Sequence, residues 1–279
     1  MTIEDIILDN DRRGISSLRP FVPANFAEEA ALLILDNPGT AIITTGFYIL
    51  DAAAAETDGP PGAVAIGNAL HELGYSVVYV TDRFAASLMA KTGGEHARVV
   101  EFPIMEDDVS SQFAAGLLAE IDPSIVISIE RCGFTDEGLY RNMRGKDISA
   151  YNAKIDHIFT EDRPSVGIGD GGNEIGMGNL ADEIPKIETL VKQPCVTRTT
   201  KLVLSSVSNW GGYGLVAALS QAKGRNLLPS IEEEQALMKK TVDLGAVDGM
   251  SAKQEYKVDG FTLEENSQTL QALHDHVGQ

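Results

Sequence analysis

Short apolar runs rich in β-branched residues alternate along the chain with longer stretches whose apolar positions recur at helical spacing. A first helix is expected over about residues 26–35, with Glu28 and Glu29 in its first turn and Asn37-Pro38-Gly39 as its stop. Ala41-Ile-Ile-Thr-Thr45 reads as a buried strand closed by Gly46. After a loop ending in Asp58-Gly-Pro-Pro-Gly62, residues 63–73 read as a helix, with proline at its entrance and Gly74 past its exit. The rhythm then repeats as strand 76–80, helix 83–91, strand 98–102, helix 108–120 and strand 125–129. Further strands are expected at 157–160 and 201–207, and further helices near 178–191, 214–223, 231–244 and 263–274.

Strand and helix alternating in this way imply an α/β fold, a mostly parallel sheet sandwiched between helices in a Rossmann-like three-layer arrangement. The continuously apolar strands agree, since central parallel strands are buried on both faces. No Gly/Ser-rich linker, internal repeat or low-complexity tract divides residues 1–279, so one domain is expected. In such sheets the ligand crevice lies beyond the carboxyl ends of the strands. The loops after Thr45, Val80, Ile129 and Ile168 are therefore the places to look for chemistry.

Charge narrows the partners. With 41 acidic against 22 basic residues, the net charge of −19 repels phosphate backbones and anionic lipid, which excludes a basic nucleic-acid or membrane face. No apolar run approaches the roughly 18 residues needed to cross a bilayer. The acidic start, Met1-Thr-Ile-Glu-Asp5, lacks the basic region of a secretory signal. Cys132 and Cys195 lie far apart and form neither a disulfide framework nor a zinc knuckle. A cytoplasmic protein acting on a small molecule is the expectation, with room for a homo-oligomer.

The densest polar chemistry is Val166-Gly-Ile-Gly-Asp-Gly-Gly-Asn-Glu-Ile-Gly-Met-Gly178. Gly167, Gly169 and Gly172 formally match G-x-G-x-x-G, but the match sits late in the chain and Asp170 would point a carboxylate at a pyrophosphate, so no nucleotide cofactor is expected. A Walker loop fails for want of Gly-Lys-Ser/Thr, and an EF-hand fails because Ile175 holds the glycine's place. Asp170, Asn173 and Glu174 remain. With a helix starting near Asn173, Asp170 would cap it while Asn173 and Glu174 project into the crevice, as hard oxygen donors for Mg²⁺ or Mn²⁺ or as acid/base groups. Alternatively the segment is a glycine-rich turn with a capping aspartate.

Four other segments carry polar groups. Glu130-Arg131-Cys132 ends the clearest strand, either as an ion pair or as a clamp for a substrate carboxylate, with Cys132 a small buried thiol. Tyr140-Arg-Asn-Met-Arg-Gly-Lys-Asp147 is a basic island in an acidic chain. Thr45-Gly46 and Glu56-Thr-Asp-Gly-Pro-Pro-Gly62 offer backbone amides at a helix entrance, with Asp58 as a base or metal ligand. Ser208-Asn-Trp-Gly-Gly-Tyr-Gly214 offers Asn209 and Tyr213, while Trp210 is either a packing anchor or a pocket wall. His71, His96, His157, His274 and His276 show no metal-binding spacing, and no G-x-S-x-G elbow occurs.

Taken in order, Glu56–Ala63, Ile129–Arg131, Asn142–Arg144, Gly167–Gly178 and Val207–Tyr213 resemble the D-glutamate cyclase family, specifically its carboxyl-terminal, catalytic-type domain. The resemblance implies a carbon–oxygen lyase that converts D-glutamate to 5-oxo-D-proline with loss of water. It departs at Phe47-Tyr-Ile-Leu-Asp51, apolar where a polar substrate-facing loop is expected, which leaves room for another small amino acid or lactam. On this reading Glu174 or Asp58 transfers protons, and Asp170 with Asn173 orients the carboxyl or holds a metal. Asp58, Asp170 and Glu174 are the candidate ligands for Mn²⁺ or Mg²⁺. Thr45, Gly46, Glu130, Arg131, Asn142, Arg144, Asn209, Trp210 and Tyr213 are the candidate substrate contacts. A metal-dependent hydrolase of a small lactam or cyclic imide and a non-catalytic small-anion binder are the alternatives.

Overall fold

A computed structural model describes residues 1–94 and 98–278. Its main sheet has six parallel strands: β1 Thr40–Thr44, β2 Ser76–Thr81, β3 Arg98–Glu101, β4 Ile125–Ile129, β5 Ser165–Gly169 and β6 Lys201–Leu204. Their spatial order is β3-β2-β1-β4-β5-β6. The chain winds outward from β1 in one direction and from β4 in the other, so the gap between β1 and β4 is the topological switch point where open α/β sheets bind ligands. Helices cover both faces, as the alternation in the sequence requires: a three-layer, Rossmann-like α/β fold.

The period of two along the strands sorts the core. Ala41, Ile43, Val77, Tyr79, Ile125, Ile127 and Ile129 join one cluster with helices α1 Ile3–Ile7, α2 Phe26–Asp36, α3 Pro60–Glu72, α6 Ser208–Lys223 and α8 Leu263–Val277. The residues between them, Ile42, Val78, Val80 and Val126, join the opposite cluster with Ala114 and Leu117 of α5 Asp107–Ile121. Helices α4 Arg83–Thr92 and α7 Ile231–Asp243 complete the set. None of the described helices is long and apolar enough to cross a membrane.

Three expectations need correction. Residues 157–160 are not a strand: Ile155–Ile158 form a 3₁₀ turn that buries Ile155 and Ile158 on the second face, and the strand comes later, as β5. No α-helix spans 178–191. Two short 3₁₀ turns, Met177–Leu180 and Ile184–Lys186, replace it, because Gly178 is pressed against the backbone of Val196 and Thr197 and Pro185 withholds an N–H. Helix α6 begins at Ser208 rather than near Gly214, which moves Asn209, Trp210 and Tyr213 from a loop into its first turns. His96 lies outside the described residues.

Candidate active site

Helices α3 and α6 pack together at their amino-terminal ends and cap each other. Asp58, just before α3, accepts the first amides of α6: Asn209 N–H reaches Oδ1 at 2.7 Å and Ser208 N–H reaches Oδ2 at 2.9 Å. In return Asn209 Oδ1 accepts the N–H groups of Gly59 (3.0 Å) and Gly62 (2.8 Å). A side chain at Gly62 would meet Ile129 Cδ1 at 2.6 Å, and one at Gly212 would meet Gly62 Cα at 3.1 Å. The glycines of both motifs thus serve a close helix–helix approach, and Asn209 is spent on the junction. Trp210 and Tyr213 are buried on the same helix, donating to Asn266 Oδ1 (2.6 Å) and Glu234 Oε1 (3.2 Å). The hydrogen bonds of all three side chains thus go to the protein's own scaffold.

The Glu-Arg pair after β4 is split, because neighbouring residues leave a strand on opposite sides. Arg131 is fully buried and donates to Asp82 Oδ2 (2.6 Å), Gly46 O (3.0 Å) and Ala153 O (3.0 Å). Its ion-pair partner is Asp82, the N-cap of α4, and its guanidinium is closed to a substrate carboxylate. Thr45 and Gly46 lie in this buried layer too.

Glu130 turns the other way, with φ at +44°, in the left-handed region that few non-glycine residues adopt. Such backbone is maintained only where its surroundings enforce it, and it gathers at functional sites. Its Oε2 accepts the Ser208 hydroxyl at 2.6 Å. Burial pushes its carboxyl well above the usual range, and Glu174, Glu56 and Asp58 push further. Glu56 behaves likewise, raised by burial and then by Asp259 and Asp58.

The glycine-rich loop after β5 closes on itself. No helix starts near Asn173, and Asp170 caps nothing. Glu174 instead fills a nest of amides, accepting Gly171 N–H on Oε1 (2.8 Å) and Gly172 N–H on Oε2 (2.8 Å). Asn173 Nδ2 donates to Arg141 O at 3.0 Å. Asp170 is fully buried and meets Arg13 from the amino-terminal segment. The same guanidinium reaches Asp259 at 2.6 Å, so one cation bridges two buried carboxylates. Burial raises the Asp170 carboxyl well above its ordinary value, and Arg13 works against that rise. Asp58 is raised to about 7 by burial and then by Asp259, partly offset by the α6 amides.

Among the described residues, two trios place ligand atoms within 4.8 Å of one another: Asp58, Asp170 and Asp259, and Glu130, Asp170 and Glu174. The expected metal set is divided between them, with Asp170 common to both. Asp170 Oδ2, Asp259 Oδ2 and Glu56 Oε1 are buried oxygens without a hydrogen-bond partner among the described residues, and they mark acids still able to bind something.

Beside these acids, at the carboxyl ends of β1 and β4, lies a cavity of about 320 Å³. Arg13, Glu56, Glu130, Asn142, Arg144 and Asn173 supply its polar wall, and the 47–50 loop with Met143 and Met250 supplies an apolar one. Asn142 Oδ1 closes its own turn by accepting the Arg144 and Lys146 amides, both at 3.0 Å. Arg144 lies exposed at the rim, 3.2 Å from Asp51. The apolar 47–50 loop therefore does face the ligand space.

Glu56 stands in a motif whose sequence points to Asp58 instead, and Arg13 and Asp259 lie in no motif. Arg12-Arg13-Gly14 is a paired base before a turn in an acidic chain, and Asp248-Gly249 and Asp259-Gly260 are turn signals; these were the available clues. Asp11 builds the first turn by accepting the Arg13 and Gly14 amides (2.9 and 2.7 Å), and Asp248 fixes the second through Gly260 N–H (2.7 Å).

The chain matches the family described as D-glutamate cyclase-like, C-terminal, over residues 3–274. It is also 32% identical over 215 residues to "D-glutamate cyclase, mitochondrial" of Homo sapiens, a stretch covering 68% of this chain and 34% of that protein. The chain thus spans only part of that relative's length. With the family model running through nearly every element that builds the acid-lined cavity, the chain belongs to the D-glutamate cyclase-like C-terminal family.

Proposed function

We propose that the cavity closes an amino dicarboxylic acid into its lactam, with D-glutamate giving 5-oxo-D-proline and water. One observation carries the reading: two buried carboxyls, Glu56 and Glu130, both held toward protonation, line the same small space as the cations Arg13 and Arg144. In the reaction the α-nitrogen bonds the γ-carboxyl carbon and a C–O bond breaks. The ammonium gives up two protons, and the departing oxygen takes two to leave as water. A carboxyl pair sharing a proton suits both needs, since one member accepts from nitrogen while the other donates to oxygen. Arg144 and Arg13 would neutralise the substrate carboxylates. Orientation supplies much of the acceleration, because attack is already intramolecular.

A divalent cation is compatible with this arrangement, because Asp170 Oδ2 and Asp259 Oδ2 are hard ligand oxygens with no partner among the described residues. Asp58, Asp170 and Asp259 would hold it, and bound there it would polarise the γ-carboxyl. The apolar 47–50 wall favours the second reading, opening of a small lactam by water at the same acids.

The test is turnover of D-glutamate, L-glutamate and a panel of lactams, followed by chiral chromatography. Glu130→Gln keeps the shape and the Ser208 contact but removes the proton, so a folded variant should lose on the order of 10²–10⁴ in kcat. Lactam opening without D-glutamate cyclisation would replace the reading. Wild-type kcat in Glu130→Gln would remove Glu130 from proton transfer.

A further inference from the structure

On the other side of α6 a second cavity, of about 400 Å³, opens between α3, α6 and α7. Its lining joins apolar side chains, Val64, Ala65, Leu228 and Leu237 among them, to polar ones that include Tyr213, Glu233 and Glu234. Glu234 is only 1% exposed. Its Oε1 accepts from the Tyr213 hydroxyl (3.2 Å) and from Asn266 Nδ2 (2.5 Å), whereas Oε2, equally buried, has no partner among the described residues. Burial raises this carboxyl to about 7, and the hydrogen bonds from Tyr213 and Asn266 work against that rise. A buried carboxylate oxygen left unbonded is costly, and a donor delivered from the adjoining space would remove that cost. Nothing in the proposed cyclisation uses Glu234.

We infer that this second cavity is a binding site for a small primary ammonium compound with an apolar body, its nitrogen bonded to Glu234 Oε2 and its carbon chain lying against Leu228 and Leu237. The volume falls within the range of small-ligand sites, and Glu72 and Glu233 on the same lining add negative charge that favours a cation beside the apolar positions. The sole tryptophan is wired to the site: Trp210 Nε1 donates to Asn266 Oδ1 at 2.6 Å, and Asn266 in turn donates to Glu234.

That wiring supplies the assay. The full chain is titrated with n-butylammonium chloride, and separately with n-butanol, while the Trp210 indole N–H is followed by NMR. Expected is a saturable shift with butylammonium and binding of butanol about tenfold or more weaker, the factor a charged hydrogen bond carries. Glu234→Gln should weaken butylammonium by a similar factor, and Leu228→Trp, which fills the cavity, should abolish the shift. Glu130→Gln should leave it in place, since that carboxyl lines the other cavity. An absence of saturation up to on the order of 100 mM, a shift that survives both cavity variants, or one lost with Glu130→Gln would each overturn the assignment.

Discussion

Removing Arg13 isolates the electrostatic problem of this fold. Arg13→Met keeps much of the stem's apolar volume but withdraws the charge that lies between Asp170 and Asp259, which are 0% and 5% exposed on their side chains. Breaking a buried pair by deleting one partner costs about 3–5 kcal/mol, because the other charge stays behind uncompensated. For a chain of this size that is a fall in melting temperature on the order of 10 °C. The pH dependence gives the sharper signature. Arg13 lowers the carboxyls of Asp170, Asp58 and Glu130 against the larger upward push of burial, so its removal lets all three rise further. An acid whose pKa is higher in the folded than in the unfolded state binds the extra proton when folded, and stability falls as pH climbs between the two values. The variant's deficit should therefore be largest near pH 8 and shrink toward about pH 5, where protonation relieves the acids. Arg13→Lys should fall between wild type and Met, since one ammonium cannot span both carboxylates. Urea unfolding at the two pH values measures the effect. A deficit below about 1 kcal/mol at the higher pH, the scale of an exposed pair, would refute the reasoning. So would a deficit that does not shrink on acidification.

Arg131→Lys should lower stability by roughly 1–3 kcal/mol through loss of the fork shared by Asp82, Gly46 O and Ala153 O, with KM unchanged; a raised KM in a stable variant would return Arg131 to the substrate. Glu174→Gln sets an amide N–H against the Gly171 or Gly172 N–H and should cost about 1.5–3 kcal/mol, read by urea unfolding; an unchanged midpoint would contradict the nest. Dialysis against a chelator, with elemental analysis, should lower turnover, and Mn²⁺ or Mg²⁺ should restore it only while Asp170 and Asp259 are intact; full turnover in metal-free protein would exclude the ion.

The fold was legible wherever burial followed a simple period. Ile42 and Ile43 belong to opposite cores, and that two-sided demand leaves a continuous apolar run that marks a central strand. Strand β5 was harder to bound because its glycines replace the expected β-branched residues. A side chain at Gly167 would meet Gly176 Cα at 2.7 Å, so close loop packing, rather than strand propensity, chose the residue there. Helix α6 begins earlier than its sequence suggests for a related reason. Glycine is costly in a helix, yet Gly211, Gly212 and Gly214 are needed for the approach of Ser205, Gly62 and Ile7.

Residue type and spacing marked the constrained positions without saying what constrains them. The distinction lies in where each side chain's hydrogen bonds go. Glu174 fills its own loop and Arg131 donates to Asp82 and two carbonyls, whereas Asp58 both caps α6 and stands in the trio with Asp170 and Asp259. Glu56, Asp170 and Asp259 each keep a buried oxygen without a partner among the described residues, and an unbonded buried carboxylate is tolerated only if something offsets it. Arg13 offsets part, from 157 positions before Asp170 and 246 before Asp259. No local pattern encodes such distances; only the turns fixed by Asp11 and Asp248 bring these groups together. Of these acids Glu56 lines the cavity itself, and it shares that wall with Glu130, whose Oε2 accepts from Ser208; the weight of the proposed chemistry therefore passes from Glu174 and Asp58 to Glu56 and Glu130.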